Sequence, residues 1–211
     1  MSANRNIYIV GLTGGIASGK SEAAKFLEQR GAHCIDADGI YRSLAVAGSP
    51  MLREISEVFG SAVIREDGEL DRPALAEAIF GNAENKRLLD SITHPAIQKA
   101  MMDEVEEAEK NGEALVFLNV PLLFECGMDV LCDEVWLVSV DPDIQTERLM
   151  NRDGITEEQA KARLGSQMSL EEKTERATYV IDNNRTLEKM YSELNGAYSA
   201  LVKRVSRMEK E

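Results

Sequence analysis

Residues Gly14-Gly15-Ile16-Ala17-Ser18-Gly19-Lys20-Ser21 satisfy the pattern G-x-x-x-x-G-K-[ST] at every fixed position, and few folds can carry such a loop. Its glycines let the backbone curl until successive N–H groups face inward towards phosphate oxygens. Lys20 brings a mobile positive charge to the β- and γ-phosphates, and the Ser21 hydroxyl can ligate a bridging Mg²⁺. The flanks agree with the motif. Ile7-Tyr8-Ile9-Val10 is a β-branched and aromatic run that reads as a buried strand. From Ser21 to Arg30 the apolar Ala24, Phe26 and Leu27 fall among charged residues, as on one face of a helix whose N-terminus would aim partial positive charge at a bound anion. A strand, a glycine-rich loop and a helix in this order predict a nucleoside triphosphate site.

The 211 residues suit one α/β domain with an embedded subdomain. No apolar run approaches the roughly 18 residues needed to span a bilayer, and Met1-Ser2-Ala3-Asn4-Arg5-Asn6 lacks a signal-peptide pattern, so a cytoplasmic protein without a membrane partner is expected. Cys34, Cys126 and Cys132 are odd in number and form no C-x-x-C pair, which fits reduced thiols better than a disulfide frame or a zinc site. With 37 acidic against 24 basic residues the formal charge is −13. Such a surface repels polyanions and argues against nucleic acid as a partner.

After the first βα unit, Ala32-His33-Cys34-Ile35-Asp36 reads as a second strand leading into Asp36-Ala37-Asp38. Ligands in open α/β sheets sit outside the carboxyl ends of the strands, so Asp38 is a candidate to accept a proton from a hydroxyl or to hold Mg²⁺ through water. Capping of the next helix by Asp36 or Asp38 is the competing reading. From Gly48 to Gly112 the pattern is mostly helical: Met51 to Phe59, a helix begun by Asp71 with Pro73 in its first turn, one around Leu88, Leu89 and Ile92 stopped by His94-Pro95, and one from Ile97 to Lys110. This interval far exceeds the dozen or so residues of a minimal parallel crossover and predicts a helical insertion beside a large acceptor. His94 is either a surface imidazole in a helix-terminal turn or a donor to an anionic substrate group. The acidic group Asp103, Glu104, Glu106, Glu107 and Glu109 reads as a solvated helix face.

Leu115 to Val120 is a third, buried strand. Many phosphate-loop enzymes close it with an aspartate that helps position Mg²⁺. Asn119 stands there instead and cannot supply the charge, which shifts base or metal chemistry onto Asp38. Pro121-Leu122-Leu123-Phe124-Glu125 then leads away, able to wall a cleft. Glu134 to Val140 is a fourth strand, followed by the turn and helix start Asp141-Pro142. Arg148 and Arg152, at i and i+4, share a helix face. A second helix, Thr156 to Gln167, joined through Asp153-Gly154, completes a lid that would bring guanidinium groups over a transferring phosphoryl group; pairing with Glu147, Glu157 and Glu158 is the alternative. Tyr179 to Asp182 is a fifth strand, whose following Asn183 and Asn184 either read an adenine base or complete the turn. Leu187 to Met208 closes the chain as one amphipathic helix.

Taken in order, Gly11-Leu12-Thr13-Gly14-Gly15-Ile16, Asp36-Ala37-Asp38, His94-Pro95, Pro121-Leu122-Leu123-Phe124-Glu125, Arg148 with Arg152, Gln167, and Ile181-Asp182-Asn183-Asn184 resemble the dephospho-CoA kinase family over Ile7 to Leu201. The resemblance implies a five-stranded parallel sheet in a P-loop nucleoside triphosphate hydrolase-like core over 1–211, a helical CoA-binding insertion at 48–112 and a helical lid at 143–170. It implies ATP- and Mg²⁺-dependent transfer of a phosphoryl group to the ribose 3′-hydroxyl of dephospho-CoA, the last step of coenzyme A synthesis. Asp38 would be the general base, Lys20 with Arg148 and Arg152 the remaining catalytic groups, and Ser21 the metal ligand. Residues Gly14 to Ser21, Glu22 and Asn183 would bind ATP; His94, Pro121 and Leu122 would join Asp38 on the acceptor side. Two positions depart from the family pattern. Ala17 replaces a glycine, which is tolerable if φ there is negative. Glu22 replaces a threonine and would weaken ATP binding by repulsion unless it turns outward. Another small-molecule kinase of the same fold, or a nucleotide-binding regulator that has lost catalysis, are the rival expectations; a GTPase is disfavoured because no Asn-Lys-x-Asp motif is present. Oligomeric state is not legible in these residues.

Overall fold

A computed structural model describes residues 5–208; residues 1–4, part of the segment without a signal-peptide pattern, lie outside them. Five strands form one parallel sheet in the order β2-β3-β1-β4-β5. The central strand β1 (Tyr8–Gly14) pairs on one side with β3 (Leu115–Asn119) and on the other with β4 (Glu134–Ser139), which pairs in turn with β5 (Tyr179–Asp182); β2 (His33–Asp36) is the far edge. Strands covered on both faces read as continuous apolar runs, and Val116, Phe117, Leu118, Leu137 and Val138 are all buried.

Helix α1 (Lys20–Gln29) and the C-terminal α9 (Leu187–Met208) pack together on the sheet. Phe26 of α1 stacks on Tyr191 of α9 with ring centroids 4.7 Å apart, and Phe117 meets Trp136 edge-on at 5.3 Å. The register places Leu12 beside Asn119, and Ser139 beside Asp182. The strand order changes direction at β1, so the loop that follows it opens at a topological switch point, where ligands of such sheets bind.

The chain separates into two compact units, residues 1–35 with 105–211, and residues 36–104. The second has its own core, built around Met51, Leu52, Ile55 and Ile92. Its helix starts follow local chemistry. Asp36 caps α2 (Ala37–Leu44) by accepting from the Gly39 N–H at 2.9 Å, so of the two aspartates it is Asp36 that caps. Ser49 caps α3 (Pro50–Phe59), and Asp71 caps α4 (Arg72–Ile79) with Pro73 in the first turn.

The separate helices expected on either side of His94-Pro95 are one helix, α5 (Ala83–Lys110), which runs straight through the proline. Pro95 removes one backbone donor and crowds the carbonyl four residues back. The hydroxyls of Ser91 and Thr93 donate to the Leu88 and Leu89 carbonyls at 2.7 and 2.9 Å in the turn just before it. Buried Ile92, Met101, Val105 and Ala108 hold both halves in place. Asp103, Glu104, Glu106 and Glu107 are exposed on this helix, as a solvated face requires, while Glu109 is half-buried and accepts from the Asn6 N–H.

Candidate active site

The phosphate loop is braced by side chains distant in sequence. Ile16 is held on both sides of its peptide: its N–H donates to Gln167 Oε1 at 3.1 Å and its carbonyl accepts from Gln145 Nε2 at 2.8 Å. Asn183, buried at the end of β5, donates from Nδ2 to the Ser18 carbonyl at 2.6 Å. The packing explains one fixed glycine of the motif, Gly19, and the glycine at the variable position 15. A Cβ on Gly15 would stand 2.5 Å from Gln145 Nε2, and one on Gly19 would collide with the Asn183 amide. Gly19 also has φ +94°, in the left-handed region where side chains are strained.

Gly19 is the N-cap of α1 and offers no side-chain cap. The first turn therefore presents amide groups and the positive end of the helix dipole to whatever occupies the loop. Lys20 leads that turn and donates from Nζ to Asn119 Oδ1 at 2.5 Å. The loop, Pro121, Arg148, Arg152 and Leu187 line a cleft of about 550 Å³, a volume within the range of small-molecule sites.

Ala17 departs from expectation: its φ is +58°, the one positive value among the described residues other than glycine. The condition under which alanine would be harmless here is therefore not met. The curl of the loop dictates the left-handed backbone, and a Cβ in that conformation crowds the following carbonyl. Glu22 lines the same cleft but is drawn sideways. Its Oε1 is 3.3 Å from Lys25 Nζ, and its Oε2 lies 3.5 Å from the Tyr191 hydroxyl.

Arg148 and Arg152 come from α6 (Pro142–Asp153). Arg148 is anchored, donating to the Asn183 carbonyl at 3.1 Å. Arg152 grips Asp153, with Nε at 2.7 Å from Oδ1, and Arg163 of α7 (Glu157–Leu164) reaches the same carboxylate at 2.6 Å. The hydrogen bond from Arg152, reinforced by the charges of Arg152 and Arg163, holds the Asp153 carboxyl below the usual range. The pairing that sequence places on Glu147, Glu157 or Glu158 thus falls on Asp153 for Arg152 and Arg163, Arg148 bonds the Asn183 carbonyl instead, and Glu157 pairs with Lys161.

Asp38 is exposed in the first turn of α2. In the same unit His94 Nε2 lies 3.6 Å from Asp90 Oδ1 on α5. Pro121 follows β3, its carbonyl accepting from Thr13 Oγ1 at 3.1 Å, and Leu122 is half-buried beside it. Asn183 stands beneath the phosphate loop, where its amide supports Ser18. No group of three or more His, Cys, Asp or Glu side chains capable of holding a metal occurs among the described residues. Sequence reasoning missed Gln145 altogether, because a glutamine in an amphipathic helix carries no signal until the fold puts it against the loop. It also missed α8 (Leu170–Arg176), although Ser169 and Glu172 have the spacing of a capping box and form one.

The pattern of the dephospho-CoA kinase family matches residues 8–189. The chain belongs to the dephospho-CoA kinase family. A dephospho-CoA kinase of Symbiobacterium thermophilum is 43% identical over 91% of this chain and 80% of its own length. The dephospho-CoA kinase of Campylobacter jejuni has a solved structure with TM-score 0.70 and 29% identity, covering 94% of this chain and 98% of that one. A Thermus thermophilus crystal structure aligns with TM-score 0.79 and 34% identity over 93% and 99% of the two chains. As a member of the dephospho-CoA kinase family, the chain is an ATP-dependent phosphotransferase acting on a hydroxyl of dephospho-CoA in the final step of coenzyme A synthesis.

Proposed function

We propose the following division of labour for the transfer. The ATP triphosphate lies along Gly14 to Ser21, where the uncapped N-terminus of α1 faces it; this is the observation that carries the reading. Lys20 exchanges its contact with Asn119 for β- and γ-phosphate oxygens. Glu22 borders the nucleotide, and Asn183 acts from below by fixing the loop. Asp38 takes the proton from the ribose 3′-hydroxyl as that oxygen bonds to the γ-phosphorus and the bond to the β,γ-bridging oxygen breaks. Arg148 and Arg152 meet the charge that spreads over the transferring group, with the lid over 143–170 excluding water.

The residues present fit Mg²⁺ rather than a cation caged by protein. Mg²⁺ keeps several waters and takes phosphate oxygens with one or two protein ligands, and the hydroxyl of Ser21, an exposed residue at the cleft, would be such a ligand. When bound, the ion neutralises charge on the phosphates. His94, Pro121 and Leu122 serve the acceptor side, with the helices of 48–112 receiving the rest of dephospho-CoA. No helix among the described residues is long and apolar enough to cross a membrane, and the surplus of acidic residues supports an enzyme without a nucleic-acid partner.

Mass spectrometry of dephospho-CoA incubated with ATP, Mg²⁺ and either wild-type or Asp38→Asn protein tests the scheme. The wild type adds one phosphoryl group. The variant is expected to turn over about 10²- to 10⁴-fold more slowly, the usual contribution of a positioned base. Equal rates would remove Asp38 as base.

A further inference from the structure

Among the described residues Lys173 is the one buried lysine, 2% exposed. An ammonium taken out of water is tolerated only when a countercharge meets it, and here Glu125 Oε1 stands 2.8 Å from Nζ. The same carboxylate oxygen accepts from the Met168 N–H at 3.1 Å. Met168 follows Gln167, whose side-chain oxygen holds the Ile16 amide of the phosphate loop. A continuous chain of contacts therefore runs from Lys173 through Glu125 and Met168 to Gln167 and Ile16. Lys173, Met168, Gln167, Gln145 and Gly15 also line one small cavity of about 200 Å³, so Lys173 and the loop share a wall.

Lys173 Nζ meets the carboxylate as an ion pair without hydrogen-bond alignment, and neighbouring contacts flank it. Ser169 starts α8 directly after the Gln167-Met168 step, through a capping box with Glu172. One turn beyond Lys173, Arg176 bonds Asp129 at 2.7 Å and lies over the Phe124 ring at 4.6 Å. Helix α8 is thereby latched twice to the segment after β3, and the Glu125 latch is the one that reaches the backbone beside Gln167. The ammonium is buried while Glu125 stands at the surface, so the pair matters here for where its carboxylate holds Met168.

We propose that Glu125 and Lys173 are positioning residues for phosphoryl transfer: they hold Met168, and through it the Gln167 side chain, so that the Ile16 peptide keeps the phosphate loop in its binding shape. The proposal rests on ATP occupying that loop.

The test compares wild type, the double variant Glu125→Leu/Lys173→Met, Gln167→Ala, and the triple variant. ATP affinity is measured by calorimetry, KM for both substrates by steady-state kinetics, and unfolding temperature without nucleotide. Replacing both charges with apolar groups avoids stranding either one, so the double variant is expected to melt near the wild type. Its Kd and KM for ATP should rise roughly tenfold, as for coupled members of one hydrogen-bond network, with KM for dephospho-CoA little changed. Because the pair acts through Gln167, the triple variant should bind ATP about as weakly as Gln167→Ala alone. An unchanged ATP Kd in the folded double variant overturns the proposal, and so do effects that multiply in full in the triple variant. If the double variant does not fold, Glu125→Ala/Lys173→Ala, which likewise strands no charge and leaves the Met168 N–H without its acceptor, is read by the same two criteria. A wild-type protein that binds no ATP would overturn the nucleotide reading itself and the proposal with it.

Discussion

Lys20 Nζ lies 2.5 Å from Asn119 Oδ1, so the loop lysine rests against the last residue of the neighbouring strand. An amide in this place holds the ammonium by a bond that phosphate oxygens can replace. A carboxylate would hold it as an ion pair, stronger by about 1 kcal/mol in a half-buried setting. Asn119→Asp is therefore expected to raise KM for ATP about fivefold, the equivalent of that difference. Initial rates against ATP concentration at saturating Mg²⁺ measure it. A lower KM would instead show the carboxylate serving the metal.

The positive φ of Ala17, +58°, predicts a stabilising substitution. An L-residue pays about 1–2 kcal/mol for this backbone, whereas glycine adopts it freely at an entropic cost of about 0.5–1 kcal/mol. Ala17→Gly should gain the difference, roughly 0.5–1 kcal/mol, which corresponds to a rise of about 1–4 °C in Tm for a chain of this size. Differential scanning calorimetry checks it, and an unchanged or lower Tm would mean that the Ala17 side chain makes compensating contacts.

What could be read in advance was what short stretches of chain decide for themselves. The apolar runs at Leu115–Asn119 and Tyr179–Asp182, the Asp71 cap with Pro73, and the start of α9 at Leu187 each follow from neighbours in sequence. The helix through Pro95 was hidden because burial of residues on either side outweighs the proline's local preference. Ala17's backbone is set by the curl of the loop. The braces on that loop were hidden for a third reason: Gln145 and Ile16 are 129 positions apart, and Asn183 and Ser18 are 165 apart. A local reading of Asn183 offers only a turn or a base contact. The fold adds the third possibility.

Glu22 gives opposite predictions for stability and for binding. It stands in the first turn of α1, where a carboxylate favours the helix dipole by about 0.3–1 kcal/mol. In the same place it faces the anion that the turn receives, though its contacts with Lys25 and Tyr191 draw it aside. Glu22→Thr should therefore tighten the ATP Kd by roughly threefold, in keeping with a screened, half-exposed charge, while lowering the unfolding temperature slightly. Calorimetric titration at low and high salt separates the terms, since the gain in affinity should shrink as salt rises. An unchanged Kd at low salt would mean that the turn of the side chain removes the repulsion entirely.

Cys132 predicts an alkaline limit to stability. Its Sγ packs against Gly11 of the central strand, and burial pushes the thiol up to about 12, with the charges of Asp129 and Asp133 adding to it and that of Arg5 opposing it. An unfolded cysteine ionises near pH 8.5 (about one proton lost per thiol). Below that pH both states keep the proton, and the contribution to stability is fully present. Above it the unfolded chain loses the proton while the folded one retains it, so unfolding becomes more favourable by at most about 1.4 kcal/mol per pH unit until the folded thiol titrates. Stability should thus fall as pH rises from about 8.5 towards 12, and Cys132→Ala should flatten that fall relative to wild type even though loss of the sulfur lowers stability at neutral pH. Urea unfolding of both proteins at pH 7, 9 and 10 reads the difference in slope. Parallel slopes would mean that the thiol ionises in the folded protein as readily as in the unfolded chain.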